Sequence, residues 1–257
     1  MLNRFFAAAA LLAASIIPLH AQQEDSDQPP VYHGTSIHVD GIFVTPIPGI
    51  PVTATVLIQN ERPTSDGSVE IQRTINFIGR DSSGRIHNER RSLVPNSFHG
   101  RPRLIEVRIF DPQTRINTFY NLATHVARQQ VLPEPLKDVN RFNSQARVEE
   151  LGSNVLDGLE AKGTRRTTTI QANRSGTGAP VEVVDECWYS EDLHLNLLVR
   201  RTDPRSGVQT VTLKDIKREE PPQEFFEVPQ DYKIVDMTPP AGAPAAGGLV
   251  TAANPAP

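Results

Sequence analysis

The sequence predicts a mainly β protein: a curved antiparallel sheet or incomplete β-barrel, with few short helices and disordered termini. Three observations predict it. Apolar residues recur at every second position through the middle of the 257-residue chain, clusters of Gly, Asp, Ser and Pro separate those runs, and helical periodicity is weak throughout. Such a run places its apolar members on one side of a pleated ribbon and its polar members on the other.

Val52, Ala54, Val56 and Ile58 open the series on one face of a strand. Thr64-Ser65-Asp66-Gly67 then turns the chain into a second run, with Val69, Ile71, Ile75 and Phe77 on one side and Glu70, Gln72, Thr74 and Asn76 on the other. Asp81-Ser82-Ser83-Gly84 leads into 85–93 as a hairpin, its glycine free to take a positive φ. Ile105, Val107 and Ile109 alternate with Glu106 and Arg108; Asp111-Pro112-Gln113-Thr114 turns into 116–122, and a short strand over 124–131 completes a first meander. The second half follows the same style. Thr164, Thr167, Thr168 and Thr169 favour a pleated surface over 158–170, and 180–189 follows a Gly-rich turn. Leu193, Leu195, Leu197 and Val199 alternate with His194, Asn196 and Leu198, and Asp203-Pro204-Arg205-Ser206-Gly207 closes a hairpin into 208–216. The one short helix expected lies over 140–151, a stretch lacking caps and a firm apolar stripe.

Composition divides the chain. Residues 1–21 have the form of a secretory signal peptide, with Arg4, an apolar run from Phe5 to Leu19 and the small Ala21. That run contains Pro18, is shorter than the about 20 apolar residues a bilayer core needs, and is followed by Gln22, Gln23, Glu24 and Asp25. Cleavage after Ala21 is therefore expected in preference to a membrane anchor. The segment 22–34 is an acidic linker, 35–237 a single β-rich domain, and 238–257 an Ala/Pro/Gly-rich tail too poor in apolar bulk to order itself. No transmembrane span is expected after cleavage. The formal charge of −4 becomes −5 without Arg4, and the basic pairs Arg90-Arg91, Arg165-Arg166 and Arg200-Arg201 are scattered among acids. Nucleic acid is thereby excluded as an expected partner.

Catalytic chemistry finds little support. A Gly-x-Ser-x-Gly elbow and a phosphate-cradling glycine loop are both missing from the sequence. His33, His38 and Asp40 are close enough to suggest a metal, but no Cys pair or His-x-Glu supports them, so they are taken as solvated. The acid pairs Glu149-Glu150, Asp185-Glu186, Glu191-Asp192 and Glu219-Glu220 would point to opposite faces of a strand and are read as surface residues. Cys187 is the one cysteine, so no internal disulfide forms; on a strand it reads as a small buried hydrophobe in preference to a nucleophile. Trp188 and Tyr189 should face opposite ways, and Phe225 and Phe226 are expected to plug one end of the sheet. No cofactor, metal or enzymatic activity is expected.

Several local patterns follow one another in order: Arg80-Asp81-Ser82-Ser83-Gly84-Arg85, Phe110-Asp111-Pro112, Leu151-Gly152 with 158–165, Glu186-Cys187-Trp188-Tyr189-Ser190, Asp203-Pro204-Arg205 and 226–232. Together, over about 52–235, they resemble a family of uncharacterised secreted bacterial proteins distantly similar to the lipoprotein-carrier (LolA/LolB-like) superfamily. The resemblance implies an incomplete barrel curled around an apolar cavity that takes acyl chains. The carriers' lid helices have no counterpart evident in this sequence. The expectation is an exported, periplasmic or secreted, non-catalytic protein binding a lipid acyl chain or a lipoprotein on a concave face. Phe77, Val107, Ile109, Trp188, Leu195 and Leu197 are the candidate ligand-binding residues. The alternative is an envelope interaction or assembly module that uses sheet edges or the tail to contact a partner protein.

Overall fold

The computed structural model describes residues 42–132 and 146–240. The signal peptide, the acidic linker, His33, His38, Asp40 and residues 241–257 of the tail lie outside them. In chain order the strands are β1 (Val52–Pro63), β2 (Val69–Arg80), β3 (Ile86–Arg91), β4 (Val94–Pro95), β5 (Leu104–Asp111), β6 (Ile116–Asn121), β7 (Val126–Val131), β8 (Arg147–Leu156), β9 (Leu159–Ile170), β10 (Val181–Ser190), β11 (Leu195–Asp203), β12 (Gly207–Lys217) and β13 (Lys233–Asp236). Ala172–Ser175 forms a single helical turn and Gln223–Phe226 a 3-10 turn.

All the strands belong to one curved sheet that does not close, ordered β13-β7-β6-β5-β3-β2-β1-β12-β11-β10-β9-β8, with β4 paired to β2. Every pairing is antiparallel except β13 on β7. The sheet is thus two meanders, β1 to β7 and β8 to β12, joined along a seam where β1 pairs with β12 from Thr53↔Lys217 to Glu61↔Val208. The turns form where the sequence places them. At the β1–β2 turn the Asp66 carboxylate accepts from Ser68 N–H at 3.0 Å and from the Thr64 hydroxyl, which holds its pKa down at about 2. At the β2–β3 turn Asp81 accepts from Arg85 N–H at 2.8 Å and Arg85 Nε at 2.6 Å, while Gly84 takes φ 86°.

Directly opposite residues share a face, so the register sorts the side chains. Val52, Ala54, Val56 and Ile58 stand opposite Arg80, Ile78, Asn76 and Thr74 on β2; Val56 and Ile58 also stand opposite Leu213 and Val211, and Val211 opposite Val199. This is the core face: those β1 residues are 0–2% exposed, Val211 3% and Leu213 2%. The alternation in β2 is as expected, but its buried side is Thr74, Asn76, Ile78 and Arg80, while Ile75 is 38% exposed and Val69 55%. Pairing with the strongly apolar β1 outweighs the hydropathy of β2 itself.

A second cluster forms on the opposite face. His87 pairs with Gly79 and Ile109, and Val107 with Tyr120, which in turn pairs with Ala127. Leu104, Phe226, Val228 and Tyr232 pack onto Val107, Ile109, Tyr120 and Ala127. The segment after β12 therefore crosses this face as a strap, from Pro221 against Gly79 to its end in β13. Phe225 and Phe226 lie across a face, correcting the expectation that they plug an end. Phe225 packs on Phe77 with tilted rings 5.1 Å apart, and Arg85 lies 4.6 Å over the Phe226 ring.

Two further expectations are corrected. Residues 147–151 belong to β8, not to a helix, because β9 supplies a ladder from Arg147↔Thr167 onward that an uncapped segment could not match; 140–145 lies outside the described residues. The alternation of β11 breaks at a bulge where Trp188 faces Leu198 but Tyr189 faces Asn196, so Asn196 is buried beside Leu195 and Leu197. At the C-terminus Val131 N–H donates to the Thr238 hydroxyl at 3.1 Å, so sheet contacts reach one residue past 237.

Candidate ligand-binding face

The core face carries an apolar floor running across five strands: Ile86 on β3, Ile78 on β2, the β1 residues, Val211 and Leu213 on β12, and Val199 on β11. Ile42, Val44, Ile50 and Leu193, all outside regular structure, join this cluster. The coil 42–50 is tied to the sheet chiefly through Arg80, with Gly49 N–H also donating to Ser82 O at 2.9 Å. Arg80, 0% exposed, donates from Nε to Ile50 O at 2.8 Å, from Nη1 to Thr45 O at 2.9 Å and from Nη2 to Leu193 O at 2.8 Å. The five donors of a planar guanidinium suit such convergent carbonyls. The Thr45 hydroxyl adds a bond to His194 O at 3.3 Å. Arg80 was not among the expected site residues, although a lone arginine directly after Phe77-Ile78-Gly79 was the available signal.

The opposite end of this face is polar. Asn60 stands opposite Gln72 and Gln209, Gln209 opposite Arg201, and Arg201 opposite Asp185. Arg201 Nη1 donates to both Asp185 oxygens at 3.0 and 3.1 Å. Burial nevertheless pushes the Asp185 carboxyl above its ordinary range, against the pull of Arg201. Asn60 Oδ1, Thr74 Oγ1 and Gln209 Nε2 are buried without a hydrogen-bond partner.

The six candidate ligand-binding residues do not line one surface. Leu195 and Leu197, each 1% exposed, belong to the core-face cluster, and half-buried Trp188 packs at its margin. Trp188 stands opposite Gly163, where an added Cβ would meet its ring at 2.8 Å, so the indole rests on bare backbone. Phe77, Val107 and Ile109 lie on the other face, beneath the strap. The one-residue parity of a strand decides this, since Phe77 and Ile78 must point opposite ways.

The reactive groups are similarly placed. Cys187 stands opposite Val199 and Thr164, and burial, reinforced by Asp185, pushes its thiol up to about 11. Against an ordinary thiol near 9.0, alkylation by iodoacetamide at neutral pH should be slower by about a hundredfold. A rate equal to that of a free thiol would contradict this placement. The acid pairs are engaged on opposite sides: Asp185 with Arg201 but Glu186 with Arg165 at 2.7 Å, and Glu191 with Lys162 at 2.7 Å but Asp192 with Arg218 at 3.1 Å. Among the described residues, no group of three or more His, Cys, Asp or Glu is arranged to hold a metal ion.

His87 is buried between Phe77 and the strap, with Nδ1 2.6 Å from Phe225 O and Nε2 lacking any partner. The carbonyl fixes the proton on Nδ1, and burial lowers the imidazole pKa below its usual 6.5, against smaller upward pulls from that hydrogen bond and from Glu89. The unfolded chain then binds the second proton more readily than the folded one. Stability contributed by neutral His87 is present above about 6.5 and is lost as pH falls through that value toward the lower folded-state pKa. The urea midpoint should drop from about pH 7.5 to about pH 5, and the drop should shrink in His87→Leu. An unchanged pH dependence in that variant would refute the assignment.

No family model matches the chain, and neither does any curated protein. Solved structures do match in shape. An uncharacterized conserved protein from Thermus thermophilus is 14% identical, with 73% of this chain and 91% of that chain covered, at a TM-score of 0.40. The Pseudomonas aeruginosa MucA/MucB complex is also 14% identical at a TM-score of 0.40, covering 72% of this chain but 58% of that one. A LolA superfamily protein from Nitrosomonas europaea is 12% identical, with 70% and 91% covered, at a TM-score of 0.29. The superfamily that the sequence motifs resemble is thus among the structural matches. Scores of this size assign no activity, and the chemistry must come from the residues themselves.

Proposed function

We propose that this protein is an exported, non-catalytic binding protein of the bacterial envelope that holds an apolar ligand, an acyl chain or a lipid-bearing protein, against the core face of its open sheet. The observation that supports this best is the apolar floor across five strands with coil residues Ile42, Val44 and Ile50 packed on it. A coil fastened by Arg80, the Thr45 hydroxyl and the Gly49 N–H can part from the floor at lower cost than an interlocked sheet, since only Ile42, Val44 and Ile50 must be repacked. Leu195, Leu197 and the margin at Trp188 contribute on this reading, whereas Phe77, Val107 and Ile109 are covered by the chain's own strap.

Titrating the purified mature chain with a dansyl-labelled fatty acid tests the proposal. A saturable rise in dansyl emission, weakened by Val211→Trp while the fold is kept, is the expected result. Emission that climbs linearly without saturation would overturn it.

A second reading is favoured by the edge strand β8, where Val148 is 54% and Val155 65% exposed and, among the described residues, only β9 pairs with it. Such an edge suits an extended segment of a partner protein. On that reading Ser153→Pro should abolish partner capture while leaving dansyl fatty acid binding intact.

A further inference from the structure

Resting on the acyl-ligand reading above, we propose that Asn60, Thr74 and Gln209 form a head-group subsite for an uncharged, hydrogen-bonding head such as a glyceryl ester or an amide. These residues come from three adjacent strands of the core face. Asn60 on β1 stands directly opposite Gln209 on β12, and Thr74 on β2 stands opposite Ile58, one same-face position along β1. Opposite side chains begin about 5 Å apart and diagonal ones about 7 to 8 Å apart, so the three polar tips converge on one patch.

That patch is largely buried, with Gln209 partly exposed, and its hydrogen bonding is incomplete. Asn60 is 5% exposed and Thr74 2%, yet Asn60 Oδ1, Thr74 Oγ1 and Gln209 Nε2 have no hydrogen-bond partner. Buried polar groups are ordinarily satisfied. An amide oxygen, a hydroxyl and an amide N–H together offer at least one acceptor and one donor, the complement of a hydroxyl, ester or amide.

Charge selects among heads. Nearby on the same face, Arg201 is held bidentately by Asp185, and Arg205 by Asp203 at 2.7 Å. Arg62 and Arg166, which share these rows, also have partners. A carboxylate or phosphate would have to break one of these pairs, whereas a neutral head meets the unpartnered amides directly. The orientation follows from the floor: the apolar part of the ligand lies along Val211, Ile58, Val56 and Leu213, away from Asn60 and toward Arg80.

Displacement of the bound dansyl fatty acid by monoolein, oleate and oleoyl lysophosphatidylglycerol tests this. Monoolein should displace it at a concentration at least about tenfold lower than either charged lipid. The double variant Asn60→Leu, Gln209→Leu should still bind the probe but with that preference reduced to about twofold or less. Thr74→Val, nearly the same in volume, should reduce the preference in part and serves if the double variant misfolds. Probe binding with equal displacement by all three lipids, or a preference unchanged in the variants, overturns the subsite alone. Absence of saturable probe binding in the unaltered protein overturns the ligand reading and the subsite with it.

Discussion

Replacing Arg80 with alanine should lower the free energy of unfolding by about 3 to 6 kcal/mol, because three carbonyls lose their donor at once, the buried one of Leu193 and the part-buried ones of Thr45 and Ile50. An orphaned group costs about 1 to 3 kcal/mol, least where water can reach it. The guanidinium donates to the carbonyls of Thr45, Ile50 and Leu193, which come from two segments remote in sequence. The variant also leaves a void where a fully buried side chain stood. For a domain whose whole stability is about 5 to 15 kcal/mol, that is a large fraction. Arg80→Lys should recover less than half of the loss, since a compact ammonium cannot reach all three carbonyls around the planar fork. Urea denaturation followed by Trp188 fluorescence measures both. A loss under about 1 kcal/mol for Arg80→Ala would show that the coil 42–50 is held by packing, with the hydrogen bonds making little net difference.

Gly207→Ala should be the next most damaging substitution, at about 2 to 4 kcal/mol from backbone strain and overlap combined. Gly207 has φ 104°, a conformation that L side chains rarely adopt, and an added Cβ would overlap the carbonyl oxygen of Glu61. Relief requires moving the end of β1 away from β12, where Glu61 pairs with Val208. Gly67→Ala makes the control: it shares a positive φ of 84° but has open space around it, so only the conformational penalty remains. If the two variants melt together, the close approach at Gly207 has been absorbed by a backbone shift and the steric part of the argument fails.

Most of the strand inventory was legible because it rests on local rules: period-two alternation in β1, turn chemistry at Asp66-Gly67, Asp81-Gly84 and Asp203-Gly207, and β-branched runs in β9. Which side of a strand is buried was legible only where one side is clearly apolar. β2 shows the limit, since Val69, Ile71 and Ile75 look inward on their own, yet pairing with β1 buries Thr74 and Asn76 instead. The candidate residues fall on two faces for the same reason. Val107 and Leu197 are equally apolar, and nothing local says that the strap 221–232 will claim one face and leave the other to the coil 42–50. The role of Arg80 and the Asn60 patch could not be read locally, because it lies in partners 30 to 113 positions away, across the β1–β12 seam, or in partners that are lacking.

The seam between β1 and β12 joins residues about 150 positions apart, and closing so long a loop is entropically unfavourable until many contacts form together. Each meander has mostly neighbouring hairpins to zip, so the halves should organise first and meet last. Until they meet, the Val-Leu-Ile stretch of β1 is a bare, sticky border, inviting a second molecule to add itself there. Refolding from urea should therefore be slow, and its yield should decline as protein concentration rises.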